Sequence, residues 1–339
     1  MRICKSTERV VGWWFLLALC LLFLQLGCDR PESNRSKTIK AENQVIQYHD
    51  KLYDVSVRDN HHIWIAGYFG TILHSKDSGK TWSRQDSGTT EPLYGVFFVN
   101  DREGWITGDL GIILHTKDGG ASWEKEINPE PDQKLLKVQF INEREGWIVG
   151  TFGVILHTID GGKHWERLSF NEDITLNDLF FVNASEGWVV GEFETIIHTT
   201  DGGITWKKQR GDREGMLFGL AFRDALHGLA VGTQGKVVFT GDGGKSWNEI
   251  KNPIKDTLLK VRFNGRSKAI AVGLRGVVAR MEDDNGRNWS VVSLPGHFTW
   301  LSGVGFTKEG VGFLVGDGGT VFVSNDNGKN WVRVGPYGG

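Results

Sequence analysis

The chain has 339 residues, 39% of them apolar, with 46 glycines, 14 tryptophans and a formal net charge of −2. Disordered chains combine low apolar content with high net charge, and this composition excludes that class. The 39 basic side chains are balanced by 41 acidic ones, so the basic excess expected of a nucleic-acid binder is absent.

Residues 1–28 differ from the rest. Arg2, Lys5 and Arg9 precede an uncharged, mostly apolar run over residues 10–27 that includes Trp13, Trp14 and Phe15. A basic start followed by an apolar run reads as an export signal. The run ends Leu24-Gln25-Leu26-Gly27-Cys28, which resembles a bacterial lipobox, although Gln25 departs from its usual aliphatic residue. This implies cleavage before Cys28, lipidation of Cys28 and a membrane-anchored product facing the periplasm, or the thylakoid lumen in a photosynthetic host. The alternative is an uncleaved anchor, since the run is about long enough to span a bilayer. Either way the remainder is exported, because the positive charges come first. The only cysteines, Cys4, Cys20 and Cys28, lie in this segment. No thiol-based metal or redox site is therefore expected beyond it. Residues 29–43 are polar and read as a flexible tether.

Residues 44–339 read as one domain built from a repeat. Trp82, Trp123, Trp165, Trp206, Trp247, Trp289 and Trp331 follow one another at intervals of 41 or 42 residues. Before each Trp stands a short motif, Ser/Thr-x-Asp-x-Gly-x-polar-Trp, with its acid at Asp77, Asp118, Asp160, Asp201, Asp242 and Asp326. The sixth copy diverges and reads Asp284-x-Gly286-x-Asn288-Trp289. Each repeat carries four strand signals: an alternating run such as Leu93, Val96 and Phe98; a run such as Gly104-Trp105-Ile106-Thr107-Gly108; a run such as Gly111-Ile112-Ile113-Leu114-His115; and one starting at the Trp. Four short strands about every 40 residues mark a propeller blade. The expected fold is all-β, a seven-bladed propeller of four-stranded antiparallel blades. Each blade is whole in chain order, and residues 44–49 add a strand at the seam.

The seven acids are assigned a structural role. Asp caps backbone N–H groups in turns, and Gly permits positive φ there. His74, His115, His157 and His198 recur at one position of the third strand. Equivalent sites on stacked sheets lie about 10 Å apart, too far to share an ion bound at about 2 Å. No metal or other cofactor is expected. Trp64, Trp105, Trp147 and Trp188, replaced later by Leu229, Ile270 and Phe313, read as core.

Candidate binding residues come from the turns between second and third strands, which share a propeller face with the loops between blades. At one position of these turns stand Phe69, Leu110, Phe152 and Phe193, then Gln234, Arg275 and Gly318. A core position would be apolar in every blade. The pattern instead suggests an apolar crescent over blades one to four, with Tyr68 beside Phe69 and with Arg275 opposite, as a partner-binding surface. The alternative is that the tips pack on neighbouring loops. Asp54, Gly95, Lys137, Asp178, Gly219, Lys260 and Gly303 are expected to give the central channel a solvated polar lining.

The acid motif is the Asp box, or bacterial neuraminidase repeat. Its full string here, Gly146-Trp147-Ile148-Val149-Gly150-x-x-Gly153-x-Ile155-x-His157-Thr158-x-Asp160-Gly161-Gly162-x-x-Trp165, resembles the photosystem II stability/assembly factor family. Versions of it recur from Leu52 to Trp331. The resemblance implies a non-catalytic, lipid-anchored propeller that binds a membrane protein, in photosynthetic members a photosystem II reaction-centre protein, during assembly of a membrane complex. Sialidases share the Asp box, and an exported glycoside hydrolase is the alternative. Their Arg-Ile-Pro motif and late nucleophilic Tyr are missing from this sequence, and they have six blades. Xyloglucanase-like enzymes, which also resemble the repeat, work in a cleft between two propellers.

Overall fold

A computed structural model describes residues 45–334, apart from 60, 169, 171, 266, 267, 297 and 298. The export signal, Cys28, the tether and Gln44 lie outside the described residues. Among those residues, no helix is long and apolar enough to cross a membrane.

The first repeat folds as β1 (Leu52–Val57), β2 (Ile63–Gly67), β3 (Ile72–Ser75) and β4 (Ser83–Gln85), hydrogen-bonded in that order as one antiparallel sheet. Six further sheets repeat this arrangement, their first strands starting at Leu93, Leu135, Leu176, Leu217, Leu258 and Leu301. The protein is thus an all-β, seven-bladed propeller.

Alternation within each strand places apolar residues on both faces of every sheet, and facing sheets bury them against one another. Second strands are buried throughout, as at Gly146–Gly150. Between blades the aromatic residues form a stack. Trp147 lies between His157 of its own blade and Phe181 of the next, at centroid distances of 4.9 and 3.8 Å. Trp206 then meets Phe181 edge-on at 86°. The Trp147 indole N–H donates to Gly202 O in the next blade's Asp box at 2.8 Å. The same stack joins Trp64 to Phe98, Trp105 to Phe140 and Trp188 to Phe222. Gly146 is required beneath it, because a Cβ there would approach the Phe140 ring to 2.6 Å.

Every blade is continuous in sequence, so the ring closes without strand exchange. The expected seam strand does not form. Residues 45–50 make a turn instead, in which Gln47 N donates to Asp50 Oδ2 and Asp50 N to Gln47 O. Ile46 is buried among Leu52, Leu73, Phe313 and Val315 of the first and last blades. Arg84 fastens the segment by donating to Val45 O at 2.9 Å and to Asp50 Oδ2 at 2.5 Å. The edge a seventh-blade strand could have used is already filled by Val332–Val334.

Each first strand carries a bulge after its first residue, between Leu52 and Asp54 in blade one. The bulge re-aims the following side chain. The channel lining departs from expectation here, because Asp54, Lys137, Asp178 and Lys260 are buried instead of solvated. Lys137 Nζ lies 2.6 Å from Asp54 Oδ2, and Lys260 Nζ and Arg262 Nη1 lie 3.3 and 3.5 Å from Asp178 Oδ2. A buried charge must be paired, and here each lysine pairs with an aspartate two blades earlier. The acids also accept from edge amides of the next blade, Val96 N to Asp54 and Leu220 N to Asp178. That satisfies N–H groups which an inner edge strand would otherwise leave open.

Candidate binding face

The turns between second and third strands lie beside the starts of the first strands. Tyr68 N donates to Lys51 O, Asp109 N to Pro92 O and Thr151 N to Lys134 O, all within 3.0 Å. In blade one, Thr71 N donates to Tyr68 O and both central residues have positive φ, 56° at Phe69 and 65° at Gly70. This is the primed turn that suits strand twist and that normally takes Asn-Gly. The first central residue has φ of 49° at Leu110, 55° at Phe152, 56° at Phe193, 55° at Gln234 and 56° at Arg275. A left-handed φ costs a non-glycine residue about 1 kcal/mol.

The bulky apolar tips are exposed in spite of that cost, Phe193 the least of them. Phe69 is 66% exposed, Leu110 54%, Phe152 59% and Phe193 38%, with Tyr68 at 45%. The Arg275 side chain is also largely exposed and lies 3.3 Å from Asp256. The crescent read from sequence is therefore a surface of aromatic and aliphatic tips over four consecutive blades.

Three features of this face were not read from the sequence. Tyr48 is 68% exposed and is carried by the turn over residues 47–50. That turn sits on the tip of blade seven, where Gly319 N donates to Asp50 O and a Cβ on Gly319 would approach Gln47 O to 2.3 Å. Tyr48 thus continues the crescent past the seam. Secondly, the bulge residues Tyr53 and Tyr94 form an aromatic floor with Trp300. Tyr53 stacks on Trp300 at 5.7 Å and meets Tyr94 at 5.5 Å. Burial and the adjacent Asp109 carboxylate raise the Tyr94 phenol well above its ordinary range, so it remains a donor to Asp109. Lys134 bonds the same carboxylate at 3.1 Å.

Thirdly, blade four breaks the Gly-x-x-Gly turn. Glu194 occupies the second glycine's place with φ 53° and is buried. Its carboxylate lies 2.5 Å from Arg210 Nη2 and 2.6 Å from Lys236 Nζ. Burial alone would raise its pKa, but bonds from Lys236 and Arg210 outweigh that and hold it low. The glycine spacing was the legible signal, and Glu194 was its one exception apart from the last blade's extra Gly318.

The Asp boxes lie on the opposite face, where Gly119 N bonds Arg102 O in the turn between first and second strands. In blade three, His164 N and Nδ1 bond the Asp160 carboxylate at 3.0 and 2.7 Å, and Thr158 Oγ1 donates to it at 2.9 Å. Asp77, Asp118, Asp201, Asp242 and Asp326 each accept from the backbone N–H four residues on. These bonds keep the acids ionised and engaged in their own turns. Blade six requires a correction: Asp283, not Asp284, takes this role. Asp283 accepts from Arg287 N at 3.0 Å and from Asn288 N and Nδ2 at 3.1 and 2.7 Å. Buried Met281 occupies the strand position of the box hydroxyl, and one extra residue in the turn displaces the acid by one.

His74, His115, His157 and His198 each stack on their own blade's Trp at 4.3–4.9 Å. Among the described residues, no group of three His, Cys, Asp or Glu side chains is placed to hold a metal.

A family model described as Photosynthesis system II assembly factor YCF48 matches residues 28–115, 88–175 and 211–332, well over half of the chain. The chain belongs to this family. A second model, the BNR/Asp-box repeat, matches residues 197–208 in blade four. No curated protein matches the chain. Among solved structures, the fold is similar to a YCF48 bound to a D1 peptide, with a TM-score of 0.68 at 22% identity over 83% of this chain and 93% of that one. It is similar to YCF48 from Cyanidioschyzon merolae, with a TM-score of 0.67 at 20% identity over 83% and 98%. It also resembles the GH74 xyloglucanase from Xanthomonas campestris, at 0.70 and 13% identity, over 85% of this chain but 54% of that enzyme. At these identities the structural likeness is one of fold; family membership rests on the sequence model.

Proposed function

We propose that this protein is a non-catalytic scaffold that holds a segment of a membrane protein against its apolar crescent, tethered through lipid on Cys28 on the exported side of a membrane. The observation that carries this reading is the pairing of exposure with backbone cost at Phe69, Leu110 and Phe152. Glycine would serve the turn better, and exposed bulky apolar side chains at such a position suit contact with something outside the fold. The chain enters the propeller at residues 45–50, on the crescent's own face.

Support for the partner class comes from the family. One related structure carries a D1 peptide, which makes a photosystem II reaction-centre protein the first partner to test. A glycosidase is not favoured. The buried acids Asp54, Asp178 and Glu194 are each held low by lysine and arginine partners, so none of these three offers the raised pKa of a glycosidic proton donor.

The test is crosslinking in membranes with affinity capture and mass spectrometry, comparing the native chain with a variant carrying Ser at Phe69, Leu110, Phe152 and Phe193. A membrane protein captured by the native chain and lost with the folded variant supports the reading. Capture of the same proteins by both removes the crescent from it.

A further inference from the structure

The central channel holds more positive charge than it neutralises. Its buried or nearly buried ionic groups are the acids Asp54 and Asp178 against the cations Lys137, Lys260 and Arg262. Two acids against three cations leave one over, and the most exposed of the three is Arg262, whose side chain is 22% exposed. Burial lowers the Lys137 pKa to about 8 despite Asp54, with repulsion from Lys260 and Arg262 contributing.

Arg262 is the member that faces open space. Its Nη1 donates to Leu220 O and Val261 O, both at 2.8 Å, and to Asp178 at 3.5 Å. Its Nε and Nη2 donate to no described residue. The side chain borders a cavity of about 200 Å³ near the Asp-box end of the channel, lined by the partly buried Phe97, Phe180, Phe263 and Phe306 together with Lys137 and Gln139. A half-spent guanidinium is a bidentate carboxylate receptor, and phenyl walls favour an apolar body over a bare inorganic ion.

We propose that this cavity binds a small organic monocarboxylate with an apolar or aromatic body, its carboxylate on Arg262 and its body among the four phenyl rings. The site lies on the face away from the crescent and does not depend on the protein-binding reading. Binding adds the missing negative charge to the channel, so the ligand also stabilises the ring.

The test is calorimetric titration of the full-length protein in detergent with 3-phenylpropionate and its neutral amide. The acid is expected to bind at least tenfold more tightly than the amide. Arg262→Gln should weaken acid binding about ten- to hundredfold and leave the amide unchanged, the usual range for losing a charged hydrogen bond. Should that variant fail to fold, Phe97→Ser, which removes no ion-pair partner, is expected to weaken acid and amide alike. A tripeptide ending in a free C-terminal Phe distinguishes the ligand's source. Tighter binding than 3-phenylpropionate assigns the site to a chain terminus, and weaker binding to a free metabolite. Equal affinity for acid and amide, no binding of either, or unchanged acid binding by a folded Arg262→Gln protein would overturn the proposal.

Discussion

Lys137 reaches Asp54 across an intervening blade, with 2.6 Å between Nζ and Oδ2. Blade two has Gly95 at the equivalent position, where a Cβ would approach the Lys137 Cα to 3.2 Å. The pattern recurs once around the ring, where Gly219 stands between Asp178 and Lys260. These pairs tie alternate blades together at the axis. Asp54→Asn leaves Lys137 buried without its partner and should cost about 3 kcal/mol. The double variant Asp54→Asn/Lys137→Met should recover part of that loss. Urea unfolding of both proteins measures it, and a single variant as stable as the native chain would remove the pair from the account of ring stability.

The same pair sets an acid limit. Burial would raise the Asp54 pKa, but Lys137, Lys260 and Arg262 outweigh it and bring it to about 2, below the ordinary 3.8. A carboxyl lowered on folding contributes stability above its unfolded pKa and loses it as pH falls toward the folded value. Stability should therefore drop between about pH 4 and pH 2, and Asp54→Asn should flatten that limb.

His74 acts in a higher window. Burial, with His62 and Lys76 nearby, lowers its pKa from 6.5 to about 4. The unfolded chain takes up this proton first, so stability should fall as pH drops from 6.5 toward 4. Phe239 holds the equivalent place in blade five, and His74→Phe keeps an aromatic face for Trp64. Melting temperatures across this range should depend less on pH in the variant, while a parallel dependence would assign the loss to other groups.

Asp283 and Asp284 give a direct comparison between neighbours. Asp283→Ala removes the acceptor for three donors and should cost about 1–2 kcal/mol. Asp284→Ala should change stability by less than about 0.5 kcal/mol, because Asp284 contributes only its backbone carbonyl to Arg223. A reversed order would restore the spacing-based assignment.

Phe152→Gly tests whether the crescent serves folding. Removing a left-handed phenylalanine gains about 1 kcal/mol, and glycine's extra freedom when unfolded takes some of it back. Stability should change by 0 to about +1 kcal/mol. A loss above about 2 kcal/mol would mean that the tip packs on its surroundings.

Much of this protein was legible because a repeat reports the same constraint seven times. The Trp spacing and the four strand signals led to seven four-stranded blades, and the break between Phe193 and Gln234 located the crescent. What was missed depends on single exceptions. The extra residue after Met281 moved the box acid to Asp283, and Glu194 replaced a turn glycine with a buried ion-paired acid. The seam was misjudged because residues 45–50 have strand-like composition at Val45 and Ile46, while Asp50 draws the backbone into a turn through its bond from Gln47.

The sequence by itself determined the blade count, the antiparallel blade pattern, the Trp core and the family, since each follows from local periodicity that neighbours in the chain must share. Only the tertiary structure decided which side chains meet across blades. Lys137 and Asp54 are 83 residues apart, and neither residue's local sequence names the other. Whether Phe152 faces solvent or a neighbouring loop was likewise a matter of how the ring closes, because a turn's residues set its backbone but not what stands opposite it.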